Sequence, residues 1–195
     1  MTAKIIATAL VIFFGLIAMR GFLRAASSDD DRMLARRIVR IRGPIDDRVA
    51  NDVIARLLFL QKRSATEPIQ LLIDSPGGGI SPGLAIIDTL EMIKAPVCTR
   101  CENTAHSMAL VILVCGLKGY RSASSSAILA FSMPQAPAGA SEHQKAEAER
   151  FAGILIDKVV AATAIPEAKV REMFVHSTSL SGAQAYEQHL IDNAE

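Results

Sequence analysis

The chain has 195 residues, one domain's worth of material, enough for a single well-buried core and too short for two large lobes. Its 21 Lys and Arg against 20 Asp and Glu leave a net charge of +1, so there is no global field for gripping nucleic acid, and no nucleic-acid partner is expected. Half the residues are apolar, only 5% are aromatic and Trp is absent, which suits Ala, Leu, Ile and Val packed around helices and buried strands and argues against disorder.

From Ile5 to Met19 the sequence reads IIATALVIFFGLIAM without a charge, flanked by Lys4 and by Arg20 and Arg24. As a helix this stretch spans roughly 22 Å. The hydrocarbon core is about 30 Å thick, and snorkelling of Arg20 lets Gly21, Phe22 and Leu23 extend the span. Residues 1–24 are read as an N-terminal membrane anchor or signal segment. A cleaved signal peptide fits the apolar length, and Ala25, Ala26 and Ser27 supply small residues after it, but Arg20 and Arg24 stand where such a signal carries no charge. A single anchor helix is the preferred reading, with export by a signal peptide as the alternative. The two arginines after the span lean the following domain toward the cytoplasm.

Residues 25–31, AASSDDD, read as a short solvated linker and helix start, leaving 32–195 as the folded domain. Ile38, Val39 and Ile41 predict a short strand closed by Gly43 and Pro44. Asp46 and Asp47 then open a helix whose apolar residues, Val49, Val53, Ile54, Leu57, Leu58 and Leu60, recur at helical spacing through Gln61. The apolar run 69–74, IQLLID, predicts a buried strand ending at Ser75, Pro76 and three glycines. A helix over 84–93, a strand over 95–101, an apolar helix or buried segment from Ala109, and a strand from Ser126 follow. A long helix over 141–162 has its charges in the first half, and its second half, Ile154, Leu155, Val159 and Val160, needs a partner. Two short helices, near 166–175 and 181–189, close the chain. The alternation implies an α/β domain with a largely parallel sheet and crossover helices.

Two places invite chemistry. Glycines at 77–79 let a strand end turn sharply and bring its N–H groups close to a ligand, as an oxyanion hole or a phosphate cradle requires; a plain tight turn is the bland alternative. No Walker lysine follows and the spacing is not GxGxxG, so nucleotide binding has no support. Further on, the strand over 95–101 runs through ENTAHS into MALVILVC, which sets Ser107 at a strand-to-helix junction, either as an exposed hydroxyl or as an ordinary N-cap. Cys98 and Cys101 form a lone CxxC on a predicted strand, where positions i and i+3 face opposite ways, so neither a metal nor a cofactor is expected there. Were the domain exported, these two could form a local disulfide, leaving Cys115 over.

Taken together, GPIDDRVANDVIARLLFL, LLIDSPGG, PGLAIIDTLEMIKAPVCT, HSM, GLKGYR and SLSGAQAYEQHLID, in that order, resemble the ClpP family, the proteolytic subunits of the ATP-dependent Clp protease. The resemblance covers residues 32–195 and implies a crotonase-like α/β fold with a handle helix, here 141–162, in rings of seven that stack face to face. The handle's apolar second half would then be a ring-to-ring surface. It also implies a nucleophile at Ser107, with oxyanion donors in the backbone amides of Gly78 and Met108. The family's general-base histidine falls on Ser132 and its aspartate on Ser177. A hydroxyl in those places cannot accept and return a proton as imidazole does, nor orient it as a carboxylate does.

Substitute bases are His106, beside the nucleophile, His176, beside the vacated acid position, and the lysines nearest in sequence, Lys94, Lys118 and Lys145. The expected function is therefore a ClpP-like serine peptidase subunit with an incomplete triad, non-catalytic or weakly active, similar to the ClpR subunits that share rings with active ones. Its partners would be further copies of itself or catalytic ClpP-like subunits. Docking to a Clp ATPase is in doubt, because the apolar segment and acidic linker replace the family's axial loop. The alternatives are an active membrane-anchored endopeptidase using Ser107 with an unconventional base, and, ranked below it, a crotonase-like acyl-binding protein.

Overall fold

The computed structural model describes residues 29–195. The apolar segment 5–19, with its anchor and signal-peptide readings, lies outside the described residues, and among the described residues no helix is long and apolar enough to cross a membrane. The chain divides into two units, Met1–Arg36 and Arg37–Glu195. In the first, the described part is one short helix, α1 (Asp29–Ala35), which carries Asp29, Asp30 and Asp31 in its first turn, where carboxylates suit the positive end of the helix dipole, and buries no residue. The acidic end of the linker read at 25–31 is thus the start of this helix.

The second unit alternates strand and helix: β1 (Ile38–Arg42), α2 (Asp47–Arg63), β2 (Ile69–Ser75), α3 (Ile80–Met92), β3 (Val97–His106), α4 (Met108–Val114), β4 (Arg121–Ala123) and β5 (Ile128–Ala130). Then come α5 (Glu142–Thr163), α6 (Glu167–Val175), β6 (Ser179–Ser181), α7 (Gly182–Glu187) and β7 (Asn193–Ala194). The strands run β1-β2-β3-β4-β7, all parallel; β5 also lies parallel to β3, and β6 returns antiparallel to β5. This is the expected α/β architecture with its long helix. β3 is the hinge of the arrangement, because its first half pairs with β4 and its last three residues, Thr104 to His106, pair with β5.

Local chemistry explains the elements. Asp46 caps α2 by accepting from the Val49 amide at 2.7 Å, and Ala50, Val53, Leu57 and Leu60 at helical spacing face the core. At the other end of α2 the Arg37 guanidinium donates to the carbonyls of Leu60, Ser64, Glu67 and Pro68, tying that loop to the start of β1. Burial of α4 is complete, every residue from Met108 to Val114 lying inside, which explains why its sequence shows no amphipathic period. The buried strand read at 69–74 is covered on one face only: Ile69, Leu71 and Ile73 are inside, whereas Gln70 is exposed and Leu72 and Asp74 are half-buried.

α5 begins at Ser141 with a capping box, Ser141 and Gln144 exchanging side-chain and backbone hydrogen bonds. Its apolar half has its partner within the chain. Leu155 and Val159, together with Ile156, are buried against α4 and α6, so these two are not free to form the ring-to-ring surface inferred for them, and only Ile154 and Val160 of that set stay partly open. The short strands β4, β6 and β7 have no signature in the sequence reading; each is two or three residues long and owes its existence to a partner.

Candidate active site

The geometry around Ser107 starts with an irregularity in β3. Register between β2 and β3 jumps from Ile73↔Cys101 to Ser75↔Ala105, so Glu102, Asn103 and Thr104 bulge outward. Asp74 holds the bulge, accepting from Asn103 Nδ2 at 3.1 Å, Thr104 N at 3.3 Å and Thr104 Oγ1 at 3.1 Å. The Asn103 bond, opposed by burial and helped by the two Thr104 bonds and the charge of Arg42, holds its carboxyl below the usual range. The bulge aims the end of β3 at the glycine loop after β2.

Ser107 follows directly, with φ 50° and ψ −120°, the first central position of a type II′ turn, which glycine favours. A residue other than glycine there stores on the order of 1–3 kcal/mol of strain. Two fixed points hold it: its N–H donates to Ala130 O at 2.7 Å, and its carbonyl accepts from Leu110 and Val111. Among the described residues its hydroxyl makes no hydrogen bond to another side chain, and it does not cap α4. The N-cap alternative is therefore not what the hydroxyl does.

The loop of Ser75, Pro76, Gly77 and Gly78 lies against this turn. A Cβ on Gly77, at φ 90°, would stand 2.6 Å from His106 O, 3.0 Å from Ser107 Cβ and 3.3 Å from Met108 N, so only a bare backbone fits. Ile45 pins the loop from the other side, donating to Gly77 O at 2.8 Å and accepting from Gly79 N at 2.7 Å. Gly78 sits between these two bonds, and a Cβ on it would run into the Ile45 backbone. Buried Ser75 completes the scaffold by donating to Gly43 O at 2.7 Å and accepting from Gly77 N at 3.1 Å. In the hydrogen bonding of the described residues the amides of Gly78 and Met108 donate to nothing, and the Gly77 contacts bring the two segments together. Two free amides beside a free hydroxyl are what binding a carbonyl oxygen next to a nucleophile requires.

The remaining positions come together through sheet register. The β5–β6 ladder pairs Ile128↔Ser181 and Ala130↔Ser179, and Phe131 N donates to Thr178 O at 2.9 Å, so Ser132 and Ser177 each follow one residue beyond that bond on the two facing segments. Since β3 lies beside β5 with His106↔Ala130, that pair falls at the same sheet end as Ser107. Ser177 itself, at φ 47°, is the left-handed residue of a Schellman turn closing α6, with Ser177 N bonded to Phe174 O and Thr178 N to Met173 O. The positions to which the resemblance assigns nucleophile, base and acid thus lie toward one end of the sheet, and all three carry serines.

The substitute bases fare unequally. β3 rises roughly 30 Å along its length. Lys94 precedes its start, and Lys118 follows Leu117, whose N–H donates to Val97 O, so both lysines stand at the far end from Ser107. Lys145 on α5 is paired with Glu142 at 2.7 Å. His176 ends α6 on the surface, next to Ser177. Nε2 of His106 is buried and has no hydrogen-bond partner, the one such side-chain atom among the described residues. The sequence could not single it out, because burial of one ring nitrogen depends on what the fold packs over it.

The cysteines are all free thiols. Cys98 is half-exposed and Cys101 buried, as opposite faces of β3 dictate, and burial pushes the Cys101 and Cys115 thiols up to about 12, which keeps them unreactive. Sequence reasoning missed the scaffold residues Ile45, Ser75 and Asp74; the Asp-Ser pair at the end of β2 was its only visible trace. A family model described as Clp protease matches residues 24–194 of the chain.

Proposed function

The chain belongs to the Clp protease family, and on that premise we propose that it is a peptidase subunit whose site binds a peptide carbonyl but turns it over slowly or not at all. The observation that carries this reading is the placement of Ser132 and Ser177, each one residue beyond the Phe131–Thr178 hydrogen bond, at the sheet end where Ser107 stands beside the unengaged Gly78 and Met108 amides. The Ser107 hydroxyl and the Gly78 and Met108 amides support the binding half of this reading, and Ser132 and Ser177, which supply neither imidazole nor carboxylate, support the loss of proton transfer. Such a subunit serves assembly. It joins further copies of itself or catalytic subunits of the same family in a ring, held to a membrane by residues 1–24 with the domain on the cytoplasmic side.

A second reading keeps hydrolysis and gives the proton to His106, and the unpartnered Nε2 favours it. Hydrolysis of a fluorogenic peptide by the full-length chain separates the two. Background turnover, equal to that of Ser107→Ala, is expected. Turnover lost in both Ser107→Ala and His106→Gln would establish an unconventional base and overturn the first reading.

A further inference from the structure

We propose that Gly83 is a positioning residue, whose missing side chain sets the gap between the Gly78 and Met108 amides. This rests on the reading above that those two amides receive a carbonyl oxygen. Gly83 is buried near the start of α3. Glycine is the poorest helix former after proline, so local preference does not explain its presence there. Space does. A Cβ on Gly83 would run into Met108 Cγ and stand 2.7 Å from Met108 Sδ and 3.0 Å from Met108 Cε. Met108 is itself buried at the head of α4, so its side chain has no open space to swing into.

This contact joins the supports of the two amides. Gly83 N donates to Gly79 O at 3.2 Å, and Gly79, the neighbour of Gly78, donates through its own N–H to Ile45 O at 2.7 Å. Met108 carries the second amide on the same residue whose side chain meets Gly83. Gly77 approaches that residue as well, at the backbone, where a Cβ would stand 3.3 Å from Met108 N. Gly78 is thus bracketed in sequence by two close approaches to Met108. Non-bonded heavy atoms settle at about 3.5–4.0 Å, so a methyl group at Gly83 requires α3 and α4 to part by about 1 Å. An N–H donor reaches its oxygen only over about 2.7–3.2 Å, so an oxygen held by one amide would then lie beyond the other.

The test is titration of the full-length chain with leucyl-leucine boronic acid, followed by boron NMR, with a thermal melt of every variant. Boron accepts a lone pair of Ser107 Oγ, the hydroxyl proton leaves to solvent, and the anionic tetrahedral boron turns an oxygen toward the two amides. A tetrahedral boron signal is expected in the unaltered chain, and Gly83→Ala should bind at least about tenfold more weakly. Gly83→Ala with Met108→Ala keeps both backbone amides and restores the room, and should regain most of that affinity. Gly83→Ala binding as tightly as the parent overturns the proposal and leaves the slow-turnover reading standing. A double variant that melts cooperatively yet fails to bind more tightly than Gly83→Ala overturns the route through the Met108 side chain. Should Gly83→Ala fail to fold, the double variant decides: binding near the parent's supports the proposal, and a folded chain without binding overturns it. Absence of tetrahedral boron in the unaltered chain overturns both the proposal and the carbonyl-binding reading it rests on.

Discussion

Ser107 shows how a single residue's backbone can be more informative than its side chain. Its φ of 50° is strained for serine, and the strain is held by bonds to Ala130 on one side and to the first turn of α4 on the other. Gly77 and Gly78 are equally constrained, since a methyl group at either would strike His106 or Ile45. Gly78→Ala should therefore displace the loop and lower the unfolding midpoint, as read by thermal melting. Restoring chemistry is the complementary test. Because Ser177 already occupies a left-handed position that aspartate tolerates, Ser177→Asp with Ser132→His should raise peptide hydrolysis by at least about 100-fold over the parent, while either change alone stays near background. Failure of the double variant to gain activity, with its fold intact by circular dichroism, would show that the convergence of the three positions is not close enough for proton transfer.

At the level of elements, helix ends and one ion pair hold the scaffold. The hydroxyl of Ser141 caps α5, and Ser141→Ala should cost about 1 kcal/mol in denaturant unfolding. Arg121 is almost wholly buried and joins four pieces of chain: it pairs with Asp192 at 2.6 Å and donates to Val114 O at the end of α4 and to Ala162 O in the last turn of α5. Burial by itself would raise the Asp192 carboxyl, yet the bonds from Arg121 and from the Gly119 amide outweigh it and hold the group below its ordinary range. A carboxyl lowered on folding contributes stability that is fully present above its unfolded value, about 3.9, and lost as pH falls through the folded value. Unfolding followed from pH 7 downward should thus show stability draining below about pH 4. Asp192→Ala should remove about 3 kcal/mol at neutral pH by leaving Arg121 buried without a counter-charge, and should flatten that acid limb; an unchanged limb would place its origin elsewhere.

For the whole molecule, the proposal of an assembly role predicts that the purified full-length chain cleaves no peptide yet co-purifies with a catalytic subunit of the family when the two are expressed together. Mass photometry that finds only copies of this chain would remove the mixed ring and leave the slow subunit. The sequence by itself determined the alternation of strand and helix, the family, and Ser107, Ser132 and Ser177 as the candidate site positions, because periodicity, turn residues and residue identity are local properties. It could not determine that Asp74 braces a bulge in β3, that Ile45 pins Gly78, that Lys94 and Lys118 lie at the wrong end of β3, or that Leu155 and Val159 find their partner inside the chain. Those facts come from strand register and from contacts between residues far apart in the chain. Only the tertiary structure could bring Ser107, Ser132 and Ser177 to one sheet end, since the pairing of β5 with β3 and with β6 joins segments separated by dozens of residues, and no local preference encodes that.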